Sequence, residues 1–174
     1  MDAIAMRETP MTDDPGAMEA YVPHRGAMSL LDRVERADEH GVVAWVTVRA
    51  DRLFADADGV PAWVGIEYMA QAVAAWSGAR ARGTGGSPKI GFLLGSRRYE
   101  AKEPVFPCGA ALRVSAHCEL IGDNGLGMFD CRIEHDGRLL ATARLSVYEP
   151  PAGVGGDSDG TSDGRGEGRP AMPA

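Results

Sequence analysis

Pro61-Ala62-Trp63-Val64-Gly65-Ile66-Glu67-Tyr68-Met69-Ala70-Gln71-Ala72-Val73-Ala74-Ala75-Trp76-Ser77-Gly78-Ala79-Arg80-Ala81-Arg82-Gly83 reads as one long helix, the longest element of the chain. Pro61 suits the first helical position, where its missing N–H would have no partner. Arg80 and Arg82 ahead of Gly83 suit a helix end. Ile66, Met69, Ala70, Val73 and Trp76 fall toward one face, and Ala72, Ala75 and Ala79 toward the other. A helix that is apolar on nearly every side is enclosed by other elements. Ala70, Ala74 and Gly78 are small enough for another backbone to come close, as expected if a sheet wraps the helix and a second subunit faces it. Glu67 and Gln71 stand out against this background, one turn apart on one face.

Working outward, Gly41 to Val48 is β-branched and aromatic after a turn signal at Glu39-His40-Gly41, and reads as a strand. Beyond the glycine-rich linker Gly83 to Ser87 come four further runs with strand character: Ile90 to Glu100, Ala111 to Ile121, Leu126 to His135 and Leu139 to Tyr148. Asp123-Asn124-Gly125 and Asp136-Gly137 supply the positive-φ residues of tight hairpins, so the last three runs form an antiparallel meander. The fold class is α+β, one long helix against a curved antiparallel sheet. Residues 1–20 are expected to be a flexible extension, 21–149 the folded domain, and 150–174, rich in glycine and aspartate, a disordered tail.

With 18 Lys and Arg against 25 Asp and Glu, the net charge of -7 in 174 residues lacks the clustered positive charge that nucleic acid binding needs. No apolar run reaches the roughly 18 residues needed to cross a bilayer. The acidic N-terminal residues do not resemble a signal peptide, so a cytoplasmic location is expected. Cys108, Cys118 and Cys131 are spaced neither as metal ligands nor as a disulfide framework, and are expected to be reduced and mostly buried. No metal or cofactor is expected, since no phosphate-cradling glycine pattern follows a strand.

The chemistry centres on Glu67. An unpaired carboxylate inside an apolar element is costly, and desolvation favours the neutral form that a general acid needs. Gln71 is placed to orient it, and Trp63, Val64, Gly65 and Gln71 are expected to contact the substrate. At the helix start the N–H groups of Trp63, Val64 and Gly65 are expected to lack intrahelical partners and to favour a carbonyl oxygen gaining negative charge. The structural alternative pairs Glu67 with Arg97 or Arg98 of the following strand.

Three stretches resemble the hotdog-fold 3-hydroxyacyl-acyl-carrier-protein dehydratases. They are Val22-Pro23-His24-Arg25 leading to Leu30-Leu31-Asp32-Arg33-Val34, then Gly65-Ile66-Glu67-Tyr68-Met69-Ala70-Gln71, then Lys102-Glu103-Pro104-Val105-Phe106-Pro107-Cys108-Gly109. Pro61 to Gly65 and Ile90 to Gly95 are most similar to the dehydratases of aryl-polyene gene clusters. The resemblance implies a hotdog fold, a homodimer with a continuous sheet, and an acyl thioester on an acyl carrier protein as substrate. It also implies a histidine base and a helix carboxylate acting as the acid. The family's usual histidine lies in a Gly-His-Phe-Pro motif before the helix, where this chain has Leu53-Phe54-Ala55-Asp56-Ala57-Asp58-Gly59. His24 is expected to be the substitute base, the structural alternative being a helix-start or loop residue that bonds backbone. His40 and His135 abut turn glycines, and His117 and Cys118 point to opposite faces of a strand. A hotdog thioesterase and a non-catalytic acyl-binding subunit are the alternatives.

Overall fold

The computed structural model describes Met18, Tyr21, Val22, residues 26–83, Gly85 and residues 91–150. His24, the expected tail beyond residue 150 and, apart from Met18, the expected extension 1–20 lie outside the described residues. Met18 itself is buried in the core.

The elements in chain order are β1 (Arg33–Ala37), β2 (Gly41–Thr47), β3 (Gly59–Pro61), a 3₁₀ turn (Ala62–Val64), α1 (Gly65–Gly83), β4 (Phe92–Ala101), β5 (Val105–Pro107), β6 (Ala111–Ile121), β7 (Leu126–His135) and β8 (Arg138–Tyr148). One six-stranded sheet has the order β1-β2-β6-β7-β8-β4, every neighbour antiparallel, and β3 pairs with β5 in a separate short ribbon. β6, β7 and β8 alternate buried with more exposed positions along most of their length, the period-2 pattern of a sheet with one face on the core. Val114, Phe129, Ile133 and Leu145 point to the helix side and are buried. Each such side chain contributes about 1.5–3 kcal/mol through burial.

α1 lies across that inner face. Tyr68, Met69, Ala72, Val73, Ala75, Trp76 and Ala79 are buried, while Ile66, Ala70, Ala74, Ser77 and Ala81 form a half-buried stripe along one side. Trp76 docks the helix: its ring meets Phe129 edge-on at 5.1 Å, and its indole N–H donates to the Asp38 carbonyl at 2.8 Å. Gly78 has a different neighbour from the one expected. A Cβ there would lie 1.9 Å from the Tyr21 carbonyl oxygen, so this chain's own N-terminal segment makes the close approach.

Three expectations about elements need correction. Pro61 ends β3 and precedes the 3₁₀ turn, so α1 starts at Gly65. β1, β3 and β5 are additional strands. Of the three free cysteines only Cys131 is buried, and Cys108 is exposed. The meander turns are as expected, with Gly125 at φ 83°, Asp136 at 49° and Gly137 at 74°. β4 forms an outer edge of the sheet, with Phe92 and Leu94 53% and 58% exposed. Among the described residues no helix is long and apolar enough to cross a membrane.

Candidate active site

The site is built at the start of α1. Three bonds hold that start: Ala62 N–H donates to the Pro104 carbonyl at 2.8 Å, the Tyr99 hydroxyl donates to the Ala62 carbonyl, and Gly65 N–H turns back to the same carbonyl within the 3₁₀ turn. Burial pushes the Tyr99 hydroxyl up to about 12, so it keeps the proton it donates. The Gly65 amide therefore has an intrahelical partner, contrary to expectation, because the 3₁₀ turn tightens the chain ahead of the helix. Gly65 serves packing instead: an added Cβ would stand 2.5 Å from the Tyr99 hydroxyl and 2.9 Å from Ile133 Cδ1.

Gln71 is fully buried at 0% exposure and bonded on every side. Its Oε1 accepts Leu30 N–H at 3.0 Å, and its Nε2 donates to the Met28 carbonyl at 2.8 Å and to Glu67 Oε1 at 2.9 Å. Both amide protons are engaged and no surface is left for a ligand. Gln71 orients the Glu67 carboxylate, as expected, and ties the segment 28–30 to the helix; with its bonds made inside the chain it has no free group for the substrate contact also expected of it. The partner of Glu67 foreseen in the structural alternative was an arginine of β4, whereas the contact described for it is Gln71.

Glu67 is half-buried. It opens onto a cavity of about 300 Å³ whose other described lining residues, Met28, Phe54, Trp63, Val64 and Ile66, are all apolar. Trp63 is 61% exposed and meets Phe54 edge-on at 5.5 Å. Phe54 sits at φ 69°, a region that side chains other than glycine rarely occupy. The loop carrying it is fastened through Asp32. That carboxylate accepts Thr47 N–H at 2.7 Å and pairs with Arg49 at 3.1 Å and Arg52 at 2.7 Å, while Arg52 also donates to the Ser29 carbonyl at 3.2 Å. Asp32 and Gln71 together hold both chain segments that wall the cavity. Asp32, Phe54 and Met28 carry no local signal of these roles, because the roles depend on contacts with residues far away along the chain.

The expected site residues separate as follows. Glu67, Trp63 and Val64 line one cavity; Gln71 and Gly65 lie behind it. His40 and His117 are on the outer face of the sheet with side chains 52% and 63% exposed, and His135 bonds the Ala111 carbonyl at 2.9 Å through Nδ1. No described histidine lines the cavity. Asp56 caps its own loop, accepting Asp58 N–H at 2.9 Å and Gly59 N–H at 3.1 Å. Of the other aromatic residues, Tyr68 and Trp76 are core. Burial, with Asp32 nearby, pushes the Tyr68 hydroxyl up to about 12. Among the described residues no cluster of three or more His, Cys, Asp or Glu side chains could hold a metal ion.

An aimed carboxyl group on the wall of an apolar cavity is equipped to donate or accept a proton at a bound acyl group. Comparisons with known proteins agree in kind. The dehydratase heterocomplex ApeI:P from Xenorhabdus doucetiae is 30% identical, covers 80% of this chain and 94% of its own, and superposes with a TM-score of 0.72. The PaaI protein of E. coli, from its phenylacetic acid degradation operon, is 18% identical over 72% of this chain and 83% of its own, with a TM-score of 0.55. A Streptococcus pneumoniae protein described as a hypothetical thioesterase, solved with coenzyme A, is 13% identical over 67% of this chain and 83% of its own, with a TM-score of 0.51. The last two likenesses show the hotdog fold alone. No curated protein matches the chain. The profile of the ApeP-like family, described as ApeP dehydratase, matches residues 16–156, spanning the helix, the sheet and every residue of the cavity. The chain belongs to the ApeP-like dehydratase family.

Proposed function

We propose that this protein removes water from a 3-hydroxyacyl thioester carried by an acyl carrier protein, giving the trans-2-enoyl thioester during elongation of an aryl-polyene or fatty-acid-like chain in the cytoplasm. The observation that carries the reading is Glu67 on a cavity whose other described lining residues are apolar, aimed by Gln71 at 2.9 Å. Glu67 protonates the departing hydroxyl. The base abstracts the proton next to the thioester carbonyl, so the C–O bond breaks as the C–C double bond forms and water leaves. The acyl chain lies against Trp63, Val64, Phe54 and Met28, which line the cavity with Glu67.

His24 is the base in this reading. It lies four residues ahead of Met28, which lines the cavity. A second reading assigns the base to another hotdog subunit. It is favoured by the lack of a described histidine at the cavity and by the likeness to a dehydratase heterocomplex. Either a homodimer or a mixed dimer would cover the β4 edge, which no described strand pairs, and the half-buried stripe of α1. The discriminating experiment offers a 3-hydroxyacyl carrier thioester to the protein alone and then together with a second hotdog subunit. Enoyl product from the protein alone, abolished in His24→Ala, supports the first reading; enoyl product only from the mixture supports the second. Free acid would identify a thioesterase instead. Substrate binding without turnover in either arm would make the chain a non-catalytic acyl-binding subunit.

A further inference from the structure

Two aromatic side chains of the cavity wall stand where folding alone gives no reason for them. Among the described lining residues only Phe54 and Trp63 carry rings. They keep much of their surface exposed, 39% and 61%, and neither belongs to the core. Phe54 also sits at φ 69°, where the Cβ of an L residue crowds the backbone and glycine or asparagine is the more usual occupant. A strained backbone that holds a large apolar ring half-exposed points to a function of that ring.

The strain is held from both sides. Ahead of Phe54, Arg49 and Arg52 pair with Asp32 at 3.1 and 2.7 Å, and Arg52 N–H donates to the Arg49 carbonyl at 3.1 Å. After it, Ala55 N–H donates to the Arg52 carbonyl at 3.1 Å and Asp56 N–H to the Gly59 carbonyl at 2.8 Å. Phe54 is thus the tip of a fixed loop. Trp63 is fixed through its neighbour Ala62, whose carbonyl accepts the Tyr99 hydroxyl and whose N–H donates to the Pro104 carbonyl at 2.8 Å. The two rings meet at 5.5 Å with 69° between their planes, so they form a corner, the edge of one against the face of the other.

Trp63 precedes Glu67 by four residues, one helical turn or about 6 Å along the axis. When the 3-hydroxyl of a substrate reaches Glu67, the apolar corner suits the carbons beyond it, and the polar thioester lies on the other side. A flat aryl or conjugated chain gains contact with the ring faces and has few rotors to freeze. A saturated chain of equal length has more apolar surface to bury but must fix its single bonds. Walls that were merely apolar would favour the saturated chain, and an aromatic corner inverts that order.

We propose that Phe54 and Trp63 are the specificity-determining pair of the site: they read the acyl chain beyond the carbon that loses its hydroxyl, and select chains that are flat there over saturated ones. The proposal rests on the dehydration reading of the preceding section, at the same cavity.

The test uses the double variant Phe54→Leu and Trp63→Leu in the active assembly, which keeps apolar side chains and removes the ring faces. Two 3-hydroxyacyl thioesters of N-acetylcysteamine have equal carbon number, one aryl or conjugated from the fourth carbon onward and the other saturated. Comparing variant with unaltered protein cancels the intrinsic reactivity of each substrate. The expected result is a KM for the flat substrate raised about tenfold or more, with its kcat little changed and kcat/KM for the saturated substrate within about twofold. A second variant, Phe54→Gly, relieves the backbone at φ 69° and is expected to keep the unfolding midpoint while losing part of the discrimination. If the unaltered protein turns over neither substrate, the dehydration reading fails, and titration of the same two thioesters still decides the corner. Flat-chain binding about tenfold tighter, lost in the double variant, supports the proposal; equal affinity for the two chains overturns it. In the turnover arm, a discrimination unchanged by the double variant or an equal loss on both substrates overturns it. So does a Phe54→Gly protein with a lowered midpoint and intact discrimination, which would make the ring structural.

Discussion

Two polar side chains one helical turn apart occupy opposite surroundings. Around Gln71 the protein is closed: the side chain is fully buried and its bonds go to Leu30, Met28 and Glu67. Glu67 lines a cavity, one wall of which is built from Phe54 and the largely exposed Trp63. Burial alone does not separate a chemical residue from a structural one. The saturated amide is the anchor, and the carboxylate on the cavity is the group that meets substrate in the proposed reading.

Removing the closed half has the largest expected effect. Gln71→Leu orphans the Leu30 N–H and the Met28 carbonyl, at about 1–3 kcal/mol for each buried group left unpaired. Chemical denaturation should show that loss, and catalysis should fall with it because Glu67 loses its donor; unchanged stability would break the comparison. Gly65→Ala comes next, at about 1–3 kcal/mol of overpacking, since the new Cβ must displace the Tyr99 hydroxyl 2.5 Å away. Adding Tyr99→Phe to that variant should recover part of the loss. The buried wall also makes a pH prediction. Tyr68 is held up to about 12 from 10.0, so the folded state resists its ionisation. Its contribution is intact below pH 10, the unfolded value, and is lost progressively as pH rises toward about 12. Tyr68→Phe should flatten the unfolding midpoint across that window. The smallest effect on stability belongs to the cavity wall. Trp63→Ala should leave stability within about 0.5 kcal/mol, as for an exposed position, while raising KM for the acyl substrate several-fold.

Much of this division was legible in the sequence where the signal is local. The alanine-rich run, the arginines and the closing glycine marked the helix. Turn residues at Asn124-Gly125 and Asp136-Gly137 marked the meander, and spacing put Glu67 beside Gln71. The missed elements depend on distant partners. β1 is charged and carries a register shift between Val34 and Arg36, which breaks its alternation. β3 and β5 are three residues each and exist only because they pair with one another. Gln71 also read as a substrate contact because the Leu30 N–H that donates to it and the Met28 carbonyl that accepts from it lie 41 and 43 residues away. The Gly65 amide read as open because nothing local signalled the 3₁₀ turn ahead of it.

The most direct measurement of the central claim, that Glu67 acts chemically while Gln71 acts structurally, is kcat of Glu67→Gln on a 3-hydroxyacyl carrier thioester, with its unfolding midpoint alongside. The expected result is a fall in kcat on the order of a hundredfold or more, the usual contribution of a positioned general acid, with the midpoint unchanged. Dehydration at the unaltered rate would contradict the assignment of Glu67 as the acid.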